Sequence, residues 1–288
     1  MRPASFSSVR SNPWVITGIV FAATVLWIYF FKHSPLAGEY LAEWSVPARK
    51  LVFFSLLTLI PLLAMFVLHR PKEIFRSWGF SGNFILALSV SALCVLLMFV
   101  GNAFVMPITA GFSDVLSKIG LSAPSPYINT YWVGEYWKGV LSMAVVAGFF
   151  EEVMFRGFIF GQLFRFARWG FVPAVLASVV PFAFLHIQFE WKLMAIGSMF
   201  ILTALDGAFL CWMFVQWRNN LWVPIWLHIL INLSWIAFEG NNPEGRVWAN
   251  IVRLTAIVLS ILFTVWVKKN NGESIRIERG INTTLGEE

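Results

Sequence analysis

Phe149-Phe150-Glu151-Glu152-Val153-Met154-Phe155-Arg156-Gly157-Phe158 is the stretch whose reading decides the fold. Its three ionisable side chains interrupt an apolar run from Gly139 to Phe164 that is long enough to cross a bilayer. Charge inside hydrocarbon is costly, so carboxylates there mark a functional site by default. Glu152 and Arg156 are four residues apart, share a helix face and can pair, which lowers the cost of burying either. Glu151 is turned by about 100° from its neighbour and has no sequence-local partner. One carboxylate therefore reads as structural and the other as available for proton transfer.

Working outward, the 288 residues are 58% hydrophobic and 12% charged, where a soluble domain is nearer half apolar and a quarter charged. With 29 Phe and 15 Trp, this composition describes a polytopic membrane protein with aromatic belts. The net charge of +6 reads as loop Lys and Arg that set topology, and no nucleic-acid partner is expected. Cys94 and Cys211 both lie within apolar runs, which excludes a disulfide framework and a cysteine-rich zinc site.

The expected fold is all-α, a single integral membrane domain over residues 1–288 with about eight transmembrane helices. The apolar runs are Pro13–Phe31, Leu51–Leu68, Phe84–Ala110, Gly139–Phe164, Phe171–Ile187, Leu193–Trp217, Leu221–Phe238 and Val247–Val267. The first is too long for a cleaved signal peptide and reads as a retained helix. Several are short enough to be tilted, broken or re-entrant. With the N-terminus inside, twelve Lys and Arg fall on the cytoplasmic side against eight opposite, Arg156 set aside. Both termini are then cytoplasmic, with residues 268–288 as a polar cytosolic tail. The connection over 111–138 carries Tyr127, Tyr131, Trp132, Tyr136 and Trp137, and suits an interfacial loop or a lid.

Further polar residues sit in later runs. His186 ends Phe182-Ala183-Phe184-Leu185-His186, and His228 and Asn232 lie four apart on one face of the run from Leu221. An unpartnered imidazole in an apolar run is costly, so both histidines need partners. His33 and His69, beside Lys32 and Arg70, read as solvated interfacial residues. Taken singly, each feature has a packing explanation, because side-chain hydrogen bonds tie helices together in bilayers. Taken together, Glu, His, His and Asn supply a base, a water-orienting group and oxyanion donors, the requirements of amide hydrolysis. Asp206, followed by Gly207, is a further charge whose role stays open.

Glu151-Glu152-x-x-x-Arg156, Phe182-x-x-x-His186 and His228-x-x-x-Asn232, in that order, resemble the motifs of the CAAX protease and bacteriocin-processing (CPBP, or Abi) family, which includes the type II CAAX prenyl endopeptidase. The preceding Leu221-Trp222-x-Pro224-Ile225 is similar to that family's lead-in to its second histidine. The resemblance covers residues 140–240, the expected catalytic core. It implies an intramembrane endopeptidase acting on a membrane-anchored protein or peptide, whether lipidated or not, near its C-terminus or a membrane-proximal bond. By the same resemblance, Glu151 and His186 activate the attacking water. His228 and Asn232 stabilise the oxyanion, while Glu152 and Arg156 hold the architecture.

The family has been described both as metalloproteases and as glutamate-type enzymes. The histidines here stand 42 positions apart rather than in H-E-x-x-H, and a metal-free reading is favoured. If zinc is present, its ligands would be Glu151, His186 and His228. The alternative to an enzyme is a bacteriocin-immunity or membrane-partner protein of the same family, in which the motif residues are structural. A proton-coupled transporter would also bury Glu and His, but no repeated halves or paired broken helices are evident.

Overall fold

A computed structural model describes residues 12–33, 45–111, 115, 118, 140–187, 193–238, 243–275 and 277. Most of the 111–138 connection, read as an interfacial loop or a lid, and most of the tail lie outside these residues. The chain is helical with no strand among the described residues. Its helices are α1 (Pro13–His33), α2 (Val46–Leu68), a short α3 (Ile74–Trp78) and α4 (Phe84–Gly111). There follow α5 (residues 140–166), α6 (Phe171–Leu185), α7 (Leu193–Gln216), α8 (Trp222–Phe238) and α9 (Pro243–Asn270).

Among the described residues, three helices are long and apolar enough to cross a membrane by themselves: α1, α2 and Ile196–Gln216 within α7. Phe84–Leu96, Phe171–Leu185 and Trp222–Leu233 are shorter apolar helices. The outer helices expose large apolar side chains, among them Trp14, Phe21, Leu63, Phe66, Leu205 and Leu262. In water such a surface would aggregate, whereas in hydrocarbon it is the expected exterior.

Helix α5 is the axis of the packing. Every residue from Glu152 to Arg165 is buried, so this helix is enclosed on all sides. That is the arrangement expected of a helix apolar all round its circumference. It packs against α1, α2, α3, α6, α7 and α8. Phe155, Phe158, Phe160 and Leu163 fill the surrounding core with Trp27, Met65 and Phe214. A second apolar cluster joins α4, α7 and α8 through Val90, Cys94, Leu210, Met213 and Leu227.

Along α5 the backbone widens to π-type bonding at Val140–Val146, Val153–Phe160 and Gln162–Phe166, with a regular turn at Ala147–Glu152 between the first two. Wide turns of this kind recur at functional sites. The Ser178 hydroxyl of α6 donates to the Phe155 carbonyl at 2.7 Å and so satisfies part of the widened ladder.

Two expectations are corrected. Helix α2 begins at Val46 rather than Leu51, because Pro47 suits a first helical turn, and this draws Arg49 and Lys50 into the helix. His69 is not a solvated residue. It is half-buried, donates from Nε2 to Gln162 Oε1 at 2.7 Å and packs edge-on against Phe166.

Candidate active site

The regular turn Ala147–Glu152 ends on the two glutamates, and α8 crosses it closely. Gly148 permits that approach: a Cβ there would lie 3.0 Å from Ile229 Cγ1 and 3.3 Å from the Ile229 backbone nitrogen. Ile229 follows His228, so the glycine sets the distance between the acids and the imidazole.

Glu152 and Arg156 pair at 2.7 Å with both side chains fully buried, as their spacing predicts. The same Glu152 Oε1 lies 2.7 Å from His228 Nδ1. A carboxylate engaged by a guanidinium can only accept, so His228 Nδ1 carries the hydrogen. The ring is thereby fixed in one orientation, and its Nε2 faces Glu151 Oε2 at 3.8 Å. Glu151 keeps 15% side-chain exposure against 0% for Glu152. The paired acid is sealed and its neighbour is reachable.

Phe182 organises the opposite wall. The Arg156 guanidinium lies over its ring at 4.5 Å, and its edge meets Phe155 at 5.0 Å between centroids. The ring also lies 4.6 Å from that of His186 and 6.1 Å from that of His228. Gly207 of α7 leaves room for the guanidinium, since a Cβ there would stand 3.1 Å from Arg156 Nη2. Asp206 is half-buried beside it.

The structure thus brings together Glu151, Glu152, Arg156 and His228. His186 is exposed at the end of α6, with Nδ1 held by the Phe182 carbonyl at 2.8 Å. The Phe182 ring lies against both imidazoles. Asn232 lies one turn beyond His228 on α8 and is half-buried.

One residue escaped the sequence reading. Lys50 of α2 is half-buried, one turn before Phe54, whose ring stacks on Phe150, the residue before Glu151. Its place in the gap before the apolar run from Leu51 makes it read as a loop cation in the sequence. The Ser45-Val46-Pro47 start signal was enough to place it inside the helix.

Among the described residues no group of three His, Cys, Asp or Glu side chains is disposed to hold an ion.

What the geometry offers is one accessible carboxylate beside an imidazole whose other nitrogen is locked. Such a pair can hold a water between them and accept its proton.

No curated protein and no solved structure matches the chain. A family model does, over the segment that holds all three motifs. Residues 133–234 match the family described as type II CAAX prenyl endopeptidase Rce1-like, the family that the motifs resemble.

Proposed function

We propose that this protein is an intramembrane endopeptidase that hydrolyses a peptide bond near the C-terminus, or in a membrane-proximal part, of a membrane-anchored protein. The observation that carries the reading is Glu151 set 3.8 Å from His228 Nε2 while Glu152 and Arg156 hold the ring from its other side.

In this reading, Glu151 takes a proton from a water molecule as its oxygen adds to the scissile carbonyl carbon. The C–N bond then breaks, and the proton passes to the leaving amine. His186 assists at the open side of the site. His228 and Asn232 receive the developing oxyanion, and donation from His228 Nε2 requires the ring to carry protons on both nitrogens. The described geometry supports Glu151 and His228 more directly than His186, whose ring Nδ1 is bonded to its own helix.

The proposal takes all eight longer helices as crossing the membrane, residues 140–240 as the catalytic core, and both termini as cytoplasmic. Its substrate is an anchored protein or peptide, prenylated or not. Its mechanism is glutamate-type, with no metal.

The test uses detergent-purified protein beside Glu151→Ala, a library of membrane-tethered peptides, and metal analysis of the same samples. Cleavage by the wild type that resists chelator and is lost in the variant is the expected result. Equal cleavage by both proteins would remove the assigned base. Chelator-sensitive cleavage with stoichiometric zinc would keep the protease and replace the water-activating step. Binding of an intact partner by both proteins, with no cleavage by either, would favour the immunity or partner reading.

A further inference from the structure

The two buried arginines of α5 are served differently. Arg156 has the Glu152 carboxylate at 2.7 Å. Arg165, near the end of the helix, keeps only 8% exposure, and its Nη1 donates to the Ser77 carbonyl at 2.8 Å. Its Nε is buried with no hydrogen-bond partner, and no carboxylate pairs with the guanidinium among the described residues. A buried charge is ordinarily paired, since its desolvation otherwise goes uncompensated.

The surroundings add cations rather than an acid. Residues 69–83 and 160–170 hold five Arg and Lys against one acid, Glu73. Arg70, Lys72, Arg76 and Arg168 are exposed. The Ser77 bond ties Arg165 to the residue after Arg76, and His69 is joined to Gln162, one turn before Arg165. The cations of the link between α2 and α4 are thereby gathered at the same end of the bundle as Arg165.

That end is also where an apolar surface stops. Leu63, Phe66 and Val67, at helical spacing on the last turns of α2, are exposed, and Phe75 of the link is 69% exposed. Helix α2 ends at Leu68, and Arg70 follows. Apolar side chains that give way within a turn to Arg and Lys match the boundary between acyl chains and phosphates. A dissolved anion or an acidic protein would account for the cations but not for the apolar side chains beside them. A phospholipid with a net negative headgroup accounts for both.

We propose that Arg165, with Arg76 and the other cations of the α2–α4 link, forms a binding site for the phosphate of an anionic phospholipid, its acyl chains lying along the exposed apolar face of α2. A planar, forked guanidinium suits the paired oxygens of a phosphodiester. A phosphate oxygen also supplies the anionic partner that the described residues withhold from Arg165. The site stands fourteen residues along α5 from Glu151, about 20 Å at 1.5 Å per residue. It takes no part in the reaction proposed above and does not depend on it.

The experiment follows thermal unfolding of the detergent-purified full chain during titration with dioleoyl phosphatidylglycerol, dioleoyl phosphatidylcholine or inorganic phosphate. Native mass spectrometry of the same samples reads the lipid that stays bound. Phosphatidylglycerol is expected to raise the unfolding temperature saturably and to stay bound, while the other two do neither at equal concentration. Arg76→Ala should weaken the phosphatidylglycerol midpoint about fivefold, the worth of one cation near an anionic surface. Arg165→Gln should abolish the effect. If Arg165→Gln fails to fold, Arg76→Ala, an exposed substitution, carries the comparison alone. Lys269→Ala removes an exposed cation at the end of α9 and should leave the midpoint unchanged.

Equal stabilisation by phosphatidylcholine would make the effect general lipid solvation, and equal stabilisation by inorganic phosphate would make the site one for a free anion. Either result overturns the proposal. So does an equal weakening in Lys269→Ala, which would reduce the cluster to diffuse surface charge, or the absence of any bound or stabilising lipid.

Discussion

Helix α5 carries two buried polar clusters about ten residues apart, and they employ their hydrogen bonds differently. In the first, Glu151 and Glu152 flank one imidazole, and Arg156 binds the inner acid. In the second, Gln162 accepts from His69 at 2.7 Å and faces the Ser77 carbonyl at 3.4 Å. Arg165 donates to that carbonyl at 2.8 Å and lies 5.0 Å over the Phe166 ring. The second cluster stitches α5 to the link between α2 and α4. Its partners are a backbone carbonyl, an amide and an imidazole, and Gln162 is fully buried. Burial and polarity are common to both. Only the first combines a reachable carboxylate with an imidazole locked from behind, so proton transfer belongs there and cohesion to the second.

The comparison breaks most readily at Arg156. Arg156→Leu leaves Glu152 buried with its guanidinium partner gone, and breaking a buried pair in this way costs about 3–5 kcal/mol. The variant should unfold well below the wild type in detergent and lose cleavage with it. Glu151→Ala, by contrast, should lose cleavage while its unfolding stays close to wild type. If Arg156→Leu kept both its stability and its activity, the inner pair would not be what orients His228.

A smaller effect tests the second cluster. Gln162→Leu removes the acceptor of the half-buried His69 Nε2, and a hydrogen bond of this kind contributes about 0.5–1.5 kcal/mol net. Thermal unfolding should shift by that amount while kcat of the folded fraction stays near wild type. A kcat loss larger than the stability loss would mean that the two clusters work as one unit.

The first cluster was legible in the sequence to the extent that its partners were local. Glu152 and Arg156 pair as four-residue spacing on a helix requires, and the spacing of His228 from Asn232 put both on one face of α8. Ordered apolar runs gave the helices to within a few residues. The packing of the Lys50 end of α2 beside α5 could not be reached in this way, because the two helices lie a hundred positions apart. An interhelical contact is set by packing, here the stacking of Phe54 on Phe150, rather than by the periodicity of either helix. The same reasoning covers Phe182. Its contact with His186, one turn away on the same helix, was visible in the motif, but its contacts with Arg156 and His228 follow from how α5, α6 and α8 meet. His69 was misread because flanking charge suggested solvent, whereas the short α3 link folds back and buries it against Gln162 and Phe166. The wide turns of α5 have no signature in apolar periodicity.

The third charged group, outside the membrane-spanning segments, isolates what burial contributes. Beyond α9, Glu273 accepts from Lys268 at 3.2 Å and from Arg218 at 2.7 Å, with the Arg218 side chain 81% exposed. Gln216 adds a hydrogen bond to the Ile275 carbonyl, so the segment after α9 is clipped to the end of α7. The Lys268 hydrogen bond, followed by that of Arg218, holds the Glu273 carboxyl below its ordinary value. A carboxyl lowered in the folded state contributes stability that is fully present above its unfolded pKa, about 4.3. That contribution fades as pH falls through the lower folded value. Because the pair is exposed, Arg218→Ala should cost no more than about 0.5 kcal/mol at neutral pH, and less still in high salt. The difference from wild type should vanish in acid. The informative reading is local: hydrogen exchange at residues 271–275 should quicken in the variant, and cleavage should be untouched. If Arg218→Ala instead cost as much as Arg156→Leu, solvent exposure would not be what separates a surface clip from the buried pair on α5.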